Sequence, residues 1–424
     1  MMSMQNSNKP ISVAVIGGGA AGLLCAAVAG EAGAEVTLFE KNEKVGRKLA
    51  ITGKGRCNLT NNCDPQEFIK SVVSNPRFLM SSIYSFTPSD TISLFEERLG
   101  VKLKTERGRR VFPESDKAYD IVDALFCYAR SNAKIINEKV CSVKKENGNF
   151  TISTDKRNYS FDLAVIATGG RSYPLTGSTG DGYVFSKALG HTVTPLSPSL
   201  VPITSRDASC PSLMGLSLKN TALKIVNDKN RKVIYEDFGE MMFTHFGLTG
   251  PMILSASSHL HGVNVSDCTA YIDIKPALDE KTLDAKILSV FESAKNKSFE
   301  NAILPMIPSK FASYIPKYTE IDGKKKVCEI TKEERKRFLY ALKSFKVKLS
   351  GFRPIEEAII TRGGINVKEI DPKTMHSKLC QGLYIIGEVL DLDAYTGGYN
   401  LQIAFSTAYA AASDIATMIH SKEI

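Results

Sequence analysis

Ile11-Ser12-Val13-Ala14-Val15-Ile16-Gly17-Gly18-Gly19-Ala20-Ala21-Gly22 is an apolar run that meets three glycines and then enters an alanine-rich stretch. The run reads as a buried strand and the stretch after it as a helix, which puts the glycines in the turn between them. Gly17 permits a tight turn, Gly19 lets backbone N–H groups reach a phosphate with no side chain in between, and Gly22 lets the helix lie against the strand. The first amides of that helix, from Ala20 and Ala21 onward, are unpaired donors at the positive end of the helix dipole. A diphosphate is the ligand such a turn holds. A second apolar strand, Val36 to Phe39, ends in Glu40, at the spacing where a carboxylate meets a ribose hydroxyl. Strand, turn, helix, strand and acidic end make half of a doubly wound, Rossmann-like α/β layer.

At 424 residues the chain can bury a large core and is long enough for two or three domains. Hydrophobic content of 43% and charged content of 23% are ordinary for a globular protein and weigh against disorder. The opening Met1 to Pro10 is polar and lacks the core of a signal peptide, and no apolar span is long enough to cross a bilayer. A cytoplasmic location is expected. Nine cysteines, at 25, 57, 63, 127, 141, 210, 268, 328 and 380, include no C-x-x-C pair. That argues against a disulfide scaffold, a zinc site and a thioredoxin-type dithiol, and for buried free thiols. No metal site is expected. The net charge of +9 suits a protein holding a diphosphate as well as one meeting a nucleic acid or anionic substrate.

Two further apolar strands, Phe161 to Ala167 and Leu383 to Ile386, each run into glycines, and the long apolar stretch Leu401 to Ile419 reads as a helix. The nucleotide domain is therefore expected to be assembled from both ends of the chain, residues 1–195 and 353–424. After the proline-rich passage Pro195 to Pro202 the character changes. Short β-rich runs, Ala222 to Val226 and Lys232 to Tyr235, flank the turn Asn227-Asp228-Lys229-Asn230 and predict an antiparallel sheet or barrel over 196–275 and 344–352. Residues 276–343 read as a helical insert, in which Thr331-Lys332-Glu333-Glu334 has the form of a capping box.

Up to this point NAD or FAD satisfies the residues equally. The remaining motifs are Gly46-Arg47-Lys48, Thr52-Gly53-Lys54-Gly55-Arg56-Cys57-Asn58, Ala167-Thr168-Gly169-Gly170, Gly177-Ser178-Thr179-Gly180-Asp181-Gly182, Gly387-Glu388 and Tyr395-Thr396-Gly397-Gly398-Tyr399-Asn400-Leu401-Gln402. With Met242 to Pro251, and Gly363-Gly364-Ile365 leading to Met375, they resemble the HI0933-like family of NAD(P)/FAD-dependent oxidoreductases, also called BaiN-like or YhiN-like. The resemblance covers nearly the whole chain. More distantly, the Ala-Thr-Gly-Gly and Gly-Asp-Gly elements are similar to those of fumarate reductase and ketosteroid dehydrogenase flavoproteins.

The resemblance implies an FAD domain of the two-dinucleotide-binding type, carrying an inserted β-barrel domain and a small helical domain. Gly17, Gly19, Ala20, Ala21, Gly22 and Glu40 would hold the ADP half of FAD. Lys41, Arg47 and Lys48 would meet phosphates or ribityl oxygens, and Gly53, Gly55, Arg56, Cys57 and Asn58 would line the isoalloxazine. Thr168 and Gly169 would approach the adenosine end, with Asp181 near the flavin and Gly387 and Glu388 near the ribityl chain, and Val140 and Gly170 would also bind the cofactor. Gly398, Asn400 and Leu401 would open the last helix toward the pyrimidine edge, where its amides would stabilise negative charge.

No Ser-His-Asp constellation is needed when a flavin carries the chemistry. Tyr395, Tyr399 and His245 are the candidate acids or bases, although each also suits a packed structural residue. Cys57 reads as packing, and Arg109 and Arg110 as exposed turn residues. The expected activity is an FAD-dependent oxidoreductase moving a hydride between flavin and a small organic substrate. NAD(P)H would be a transient donor and an activated C=C bond, an enone of steroid or bile-acid type, the acceptor. A flavin oxidase acting on an aminoketone with O2 is the alternative. A third reading is an FAD-stabilised RNA-binding or RNA-modifying protein docking through Lys324 to Lys326 and Lys332 to Arg337. Those lysines read more simply as a solvated helix face with no aromatic interleaving, so no nucleic acid and no membrane partner are expected. No second G-x-G-x-x-G marks an NAD(P)H site, and nothing in the sequence marks an oligomeric state.

Overall fold

A computed structural model describes residues 10–423, so all but the last residue of the polar opening lies outside the described residues. The chain forms two compact units, one running to Ser199 and resuming at Ile355, the other spanning Leu200–Pro354.

In the first unit five strands, β1 (Ser12–Ile16), β2 (Glu35–Phe39), β3 (Lys134–Ile136), β4 (Leu163–Ile166) and β5 (Leu383–Ile385), form one parallel sheet. Its spatial order is β5-β4-β1-β2-β3. Ile16 lies opposite Phe39 on one side and Ile166 on the other, and Ile166 lies opposite Ile385. The chain leaves β1 toward β2 and β3 and then crosses back to β4, so the strand order reverses between β1 and β4. Doubly wound sheets open their ligand crevice at such a reversal, beyond the carboxyl ends of the strands. Val13, Val15, Ala164, Val165, Tyr384 and Ile385 are fully buried, as strands of a parallel sheet covered on both faces must be.

Three helices matter for that crevice: α1 (Ala20–Glu31), α2 (Arg47–Gly55) and α3 (Tyr399–Glu423). The consecutive residues Leu23 to Ala27 of α1 are all buried, because the helix is enclosed between the sheet and α3 rather than lying at the surface. The α2 helix is broken at Thr52 to Lys54, where Gly53 and Lys54 take left-handed conformations with φ of 57° and 60°.

The single strand expected over Phe161 to Ala167 is two strands. Asn158–Phe161 closes a three-stranded antiparallel sheet with Val140–Glu146 and Asn149–Thr154, and β4 starts at Leu163. Asp162 makes the corner: its carboxylate accepts from the Ser12 N–H at 2.8 Å and the Ser12 hydroxyl at 2.7 Å, which an apolar reading of the run overlooks. His191 ties the two chain segments of this unit together. Its ring bonds Glu369 at 3.1 Å through Nδ1 and the Ser377 hydroxyl at 2.8 Å through Nε2. Burial depresses the His191 pKa below 6.5, an effect that the Glu369 carboxylate only partly offsets. The unfolded chain then takes up a proton that the folded one refuses, so this contribution to stability is complete above about pH 6.5 and is lost as the pH falls below it. Denaturant titrations of His191→Gln are expected to show a flatter decline of stability on the acid side than the parent.

The second unit is built on a seven-stranded antiparallel sheet in the order Phe345–Lys348, Cys268–Asp273, Ser217–Asn227, Val233–Thr244, Gly247–Thr249, Ile203–Thr204, Gly351–Phe352. The two β-rich runs are parts of its longest strands, joined by a turn in which Asn227 Oδ1 accepts from the Lys229 N–H at 3.0 Å. Helices between Glu280 and Lys343 share one core with this sheet. The Phe345 ring of the sheet meets Phe311 of a helix at 5.1 Å and Phe243, on a strand farther across the sheet, at 6.1 Å. The capping box forms: the Thr331 hydroxyl accepts from the Glu334 N–H at 3.2 Å and Glu334 accepts from the Thr331 N–H at 2.7 Å. Thr331→Ala should destabilise this unit by about 1 kcal/mol, read as a shift of the denaturant midpoint at constant slope. Several of the insert's basic residues are paired, Lys325 with Glu334, Arg335 with Asp284 and Lys343 with Asp273, while Lys324, Lys326, Lys332 and Lys336 are exposed.

Candidate functional site

The glycine turn sits at the carboxyl end of β1, beside the strand reversal. Gly17 has φ of 110° and donates its N–H to the Phe39 carbonyl at 2.9 Å; a methyl group there would lie 2.6 Å from the Ala167 oxygen. A methyl at Gly22 would collide with the Gly17 carbonyl, so α1 could not start where it does. Gly19 differs, because a methyl there meets nothing within 4 Å. That open space lies in front of the unpaired first-turn amides of Ala20, Ala21 and Gly22, and a diphosphate would fill it. Glu40 caps β2, accepting from the Gly18 N–H at 2.8 Å through one oxygen and from the Asn42 N–H at 2.8 Å through the other.

Residues after β2 meet residues after β4 and β5 across this groove. Lys41 pairs with Asp181 at 2.6 Å, and Lys48 pairs with Glu388 at 2.6 Å while also donating to the Ser172 hydroxyl at 2.7 Å. Burial opposes ionisation of Asp181, yet Lys41 and the Thr179 hydroxyl hold its carboxyl below the usual range. The Glu388 carboxylate also accepts from the Thr361 N–H at 3.0 Å. Arg47 donates to the Asn42 amide oxygen at 2.8 Å. Asp181, expected near the flavin, thus stands with Lys41 at the Glu40 end of the groove. Gly169 turns the chain with φ of 71°, and a methyl at Gly170 would lie 2.5 Å from the Thr361 hydroxyl. The Thr168 hydroxyl is buried and has no hydrogen-bond partner among the described residues. An orphaned buried hydroxyl beside an open phosphate cradle fits a bound dinucleotide such as FAD.

Beyond the break in α2, Asn58 joins two of the motifs. Its amide, in the orientation that satisfies it, bonds the Val111 and Thr60 carbonyls and accepts from the Gly398 N–H at 3.0 Å. Asn61 Nδ2 reaches Gly397 O at 3.1 Å and Gly108 O at 3.0 Å. Asn400 clamps the segment before α3, accepting from the Ala394 N–H at 3.0 Å and donating to the Ala394 carbonyl at 2.8 Å. Leu401 is half-buried against the core, and the Gly387 N–H donates to the Thr407 hydroxyl at 3.0 Å. Two of the residues expected at the isoalloxazine have their side chains occupied elsewhere. Arg56 pairs with Glu106 and Asp116 and lies over the Phe112 ring at 4.2 Å. Cys57 is wholly buried, with its thiol pushed up to about 12 by that burial. Gly55 has open space before it. Val140 begins the three-stranded sheet, paired with Thr154.

Of the candidate acids and bases, Tyr399 starts α3 with its ring edge-on to Phe68 at 5.2 Å. Burial raises its phenol above the ordinary value against an opposing hydrogen bond with Ser71. Tyr395 precedes it, its N–H donating to the Ser71 carbonyl at 3.0 Å. His245 is exposed in the turn between Val233–Thr244 and Gly247–Thr249 of the other unit. Sequence reasoning named Gln402 only as part of a motif and gave it no role. Its fully buried amide accepts from the hydroxyls of Thr60 at 2.6 Å and Thr91 at 2.8 Å and donates to the Phe86 carbonyl at 3.1 Å and Ser406 at 3.0 Å. The signal was an amide inside an otherwise apolar helix, where an unpartnered polar group is costly.

The profile of the HI0933-like protein Rossmann domain matches residues 11–414. The chain belongs to the HI0933-like family. It is an FAD-dependent oxidoreductase, as its family membership shows. Its curated relatives include the ribosomal RNA dihydrouridine synthase of Escherichia coli, 31% identical over 95% of this chain and 97% of that protein. The 3-dehydro-bile acid delta(4,6)-reductase of Clostridium scindens is 27% identical over 94% of this chain and 97% of that one. Among solved structures, 3-ketosteroid-delta4-(5alpha)-dehydrogenase of Rhodococcus jostii superposes with a TM-score of 0.50 at 13% identity, covering 98% and 99% of the two chains, a likeness of fold alone. No helix among the described residues of this HI0933-like chain is long and apolar enough to cross a membrane.

Proposed function

We propose that this chain reduces a carbon–carbon double bond conjugated to a carbonyl, drawing its electrons from NAD(P)H. The observation that carries the reading is the chemistry common to the two activities named among its full-length relatives. Making dihydrouridine saturates the ring bond of uracil conjugated to a carbonyl, and a delta(4,6)-reductase of a 3-oxo bile acid saturates bonds conjugated to the ring ketone. Each bond saturated takes up one hydride and one proton. Bound FAD would supply a ring that takes up and gives out the hydride.

The chain's own residues have three tasks. Gly17 to Gly22, with Lys41 and Lys48, would hold the diphosphate and ribityl portions of the cofactor. The first amides of α3, at Asn400 and Leu401, would stabilise negative charge on a bound flavin. Tyr399, a phenol that holds its proton at neutral pH and whose burial raises it further, would protonate the carbon beside the carbonyl.

Uracil within ribosomal RNA is the favoured acceptor, supported by the 31% identity over nearly full length. The expected small-molecule enone is the second reading, supported by the bile-acid reductase relative. Neither curated relative is named as an oxidase. The test is to reduce the FAD-loaded protein anaerobically and mix it with an unmodified ribosomal RNA transcript, a 3-oxo-delta(4,6) bile acid or buffer, following flavin reoxidation and the saturated product. Rapid reoxidation by the RNA, falling with added salt, supports the first acceptor. Rapid reoxidation by the bile acid supports the second. Reoxidation by neither, with an aminoketone reducing the flavin and peroxide forming in air, would refute the reductase.

A further inference from the structure

We infer that a cavity beside the cofactor groove docks the nucleotide end of a nicotinamide dinucleotide, the electron donor. The inference rests on the reductase reading, which needs a donor that arrives and leaves at each turnover. The sequence offers neither a second G-x-G-x-x-G nor a cysteine pair able to relay electrons.

The cavity has a volume of about 920 Å³, and all its lining residues belong to the first unit. It is separate from the phosphate cradle. Arg47, Ala50 and Ile51 share one face of α2 and line the cavity, whereas Lys48 leaves from another face and pairs with Glu388. None of Gly17 to Gly22, Thr168 to Gly170, Gly387 to Glu388 or Gly398 to Leu401 contributes to the lining. Lys41 and Arg47 stand at the shared edge, which puts the cavity next to the groove.

Its lining offers the groups a nucleotide uses. Leu175 is 88% exposed, Tyr119 58% and Ile51 45%, apolar surface that the fold leaves open around one concavity and that a planar base would cover. Tyr119 and Tyr173 provide ring faces for stacking. Lys44 is exposed and, among the described residues, has no carboxylate within salt-bridge distance, and Arg47 donates to the neutral Asn42 amide oxygen, so both keep their charge for phosphates. Lys41 and Lys48 nearby are by contrast neutralised by Asp181 and Glu388. The Glu43 and Glu356 carboxylates complete the set, since a carboxylate is the group that grips a ribose diol. A bile acid has no use for two cations. The overall exchange balances: the dinucleotide loses one hydride from its ring and departs as the pyridinium, and the acceptor bond gains that hydride and one proton from water.

The experiment measures NADH and NADPH binding to the FAD-loaded protein by calorimetry, with ADP and 2′,5′-ADP as competitors. At least one dinucleotide is expected to bind and to be displaced by its matching fragment. Lys44→Glu with Tyr119→Ala should raise its Kd about tenfold or more, while Tyr119→Phe, which keeps the ring face, should bind as the parent does. FAD content, read by absorbance, should be the same in all of them. If neither dinucleotide binds, or the double variant binds as tightly as the parent, the cavity is not the docking site. Transfer from chemically reduced enzyme to RNA or bile acid reports separately on the reductase, so the failure of one idea is distinguishable from that of the other.

Discussion

Gly22→Ala protein should purify almost without flavin and be less stable by about 3 kcal/mol, the upper part of the range for overpacking against rigid backbone. The added methyl would press on the Gly17 carbonyl and close on the Ala167 methyl at 3.3 Å, so the start of α1 must move off β1. That shift takes the first-turn amides out of line with the diphosphate. Gly19→Ala provides the contrast. Its methyl meets no protein atom within 4 Å, and its backbone is extended with φ of −84°, so the fold should keep its stability while the space for the phosphate shrinks. Urea unfolding and flavin absorbance per mole of protein separate the two. If Gly22→Ala retains both its colour and its stability, α1 does not present the cradle assigned to it.

The second large effect is expected at Gln402. Replacing this fully buried amide by leucine removes the partner of the Thr60 and Thr91 hydroxyls at once, while the Phe86 carbonyl keeps only its bond from the Ser406 hydroxyl at 2.7 Å. Thr60 and Thr91 are themselves fully buried, so water cannot take over. Orphaned buried groups cost about 1–3 kcal/mol each, and a loss of roughly 3 kcal/mol or more is expected after the hydroxyls relax. Asn400 and Leu401 lie one turn away or less, so flavin affinity should fall with the stability. An unchanged unfolding midpoint in the leucine variant would mean that the network carries no weight.

The parts of this molecule that were legible in its sequence are those whose causes are local. Gly17, Gly19 and Gly22 lie within six residues of each other, β2 ends at Glu40 for a reason visible in Val36 to Phe39, and the capping box needs only Thr331 and Glu334. What escaped detection depends on partners far along the chain. Nothing near Lys48 announces Glu388, which meets it 340 residues later. Asp162 divides an apolar run only because Ser12 is there to bond it. The helical insert 276–343 reads as separate because its apolar residues do not say which surface they cover, and that surface is the sheet carrying Phe243 and Phe345. The resemblance named Asn58, Gly398, Arg56 and Cys57 alike as cofactor residues; the first two bond each other, whereas the side chains of Arg56 and Cys57 are committed to Glu106, Asp116 and the interior.

The interleaved order of the central sheet also bears on how the protein is born. β4 emerges from the ribosome before the Leu200–Pro354 unit, and its neighbour β5 only afterwards. At typical elongation rates of about 5–20 residues per second, the flank of β4 waits roughly 10 to 40 s for its partner, with an apolar parallel edge open throughout. During that interval the nascent chain depends on escorts or on rapid folding of the intervening unit to avoid sticking to its neighbours, and cofactor capture must be among the last events of maturation.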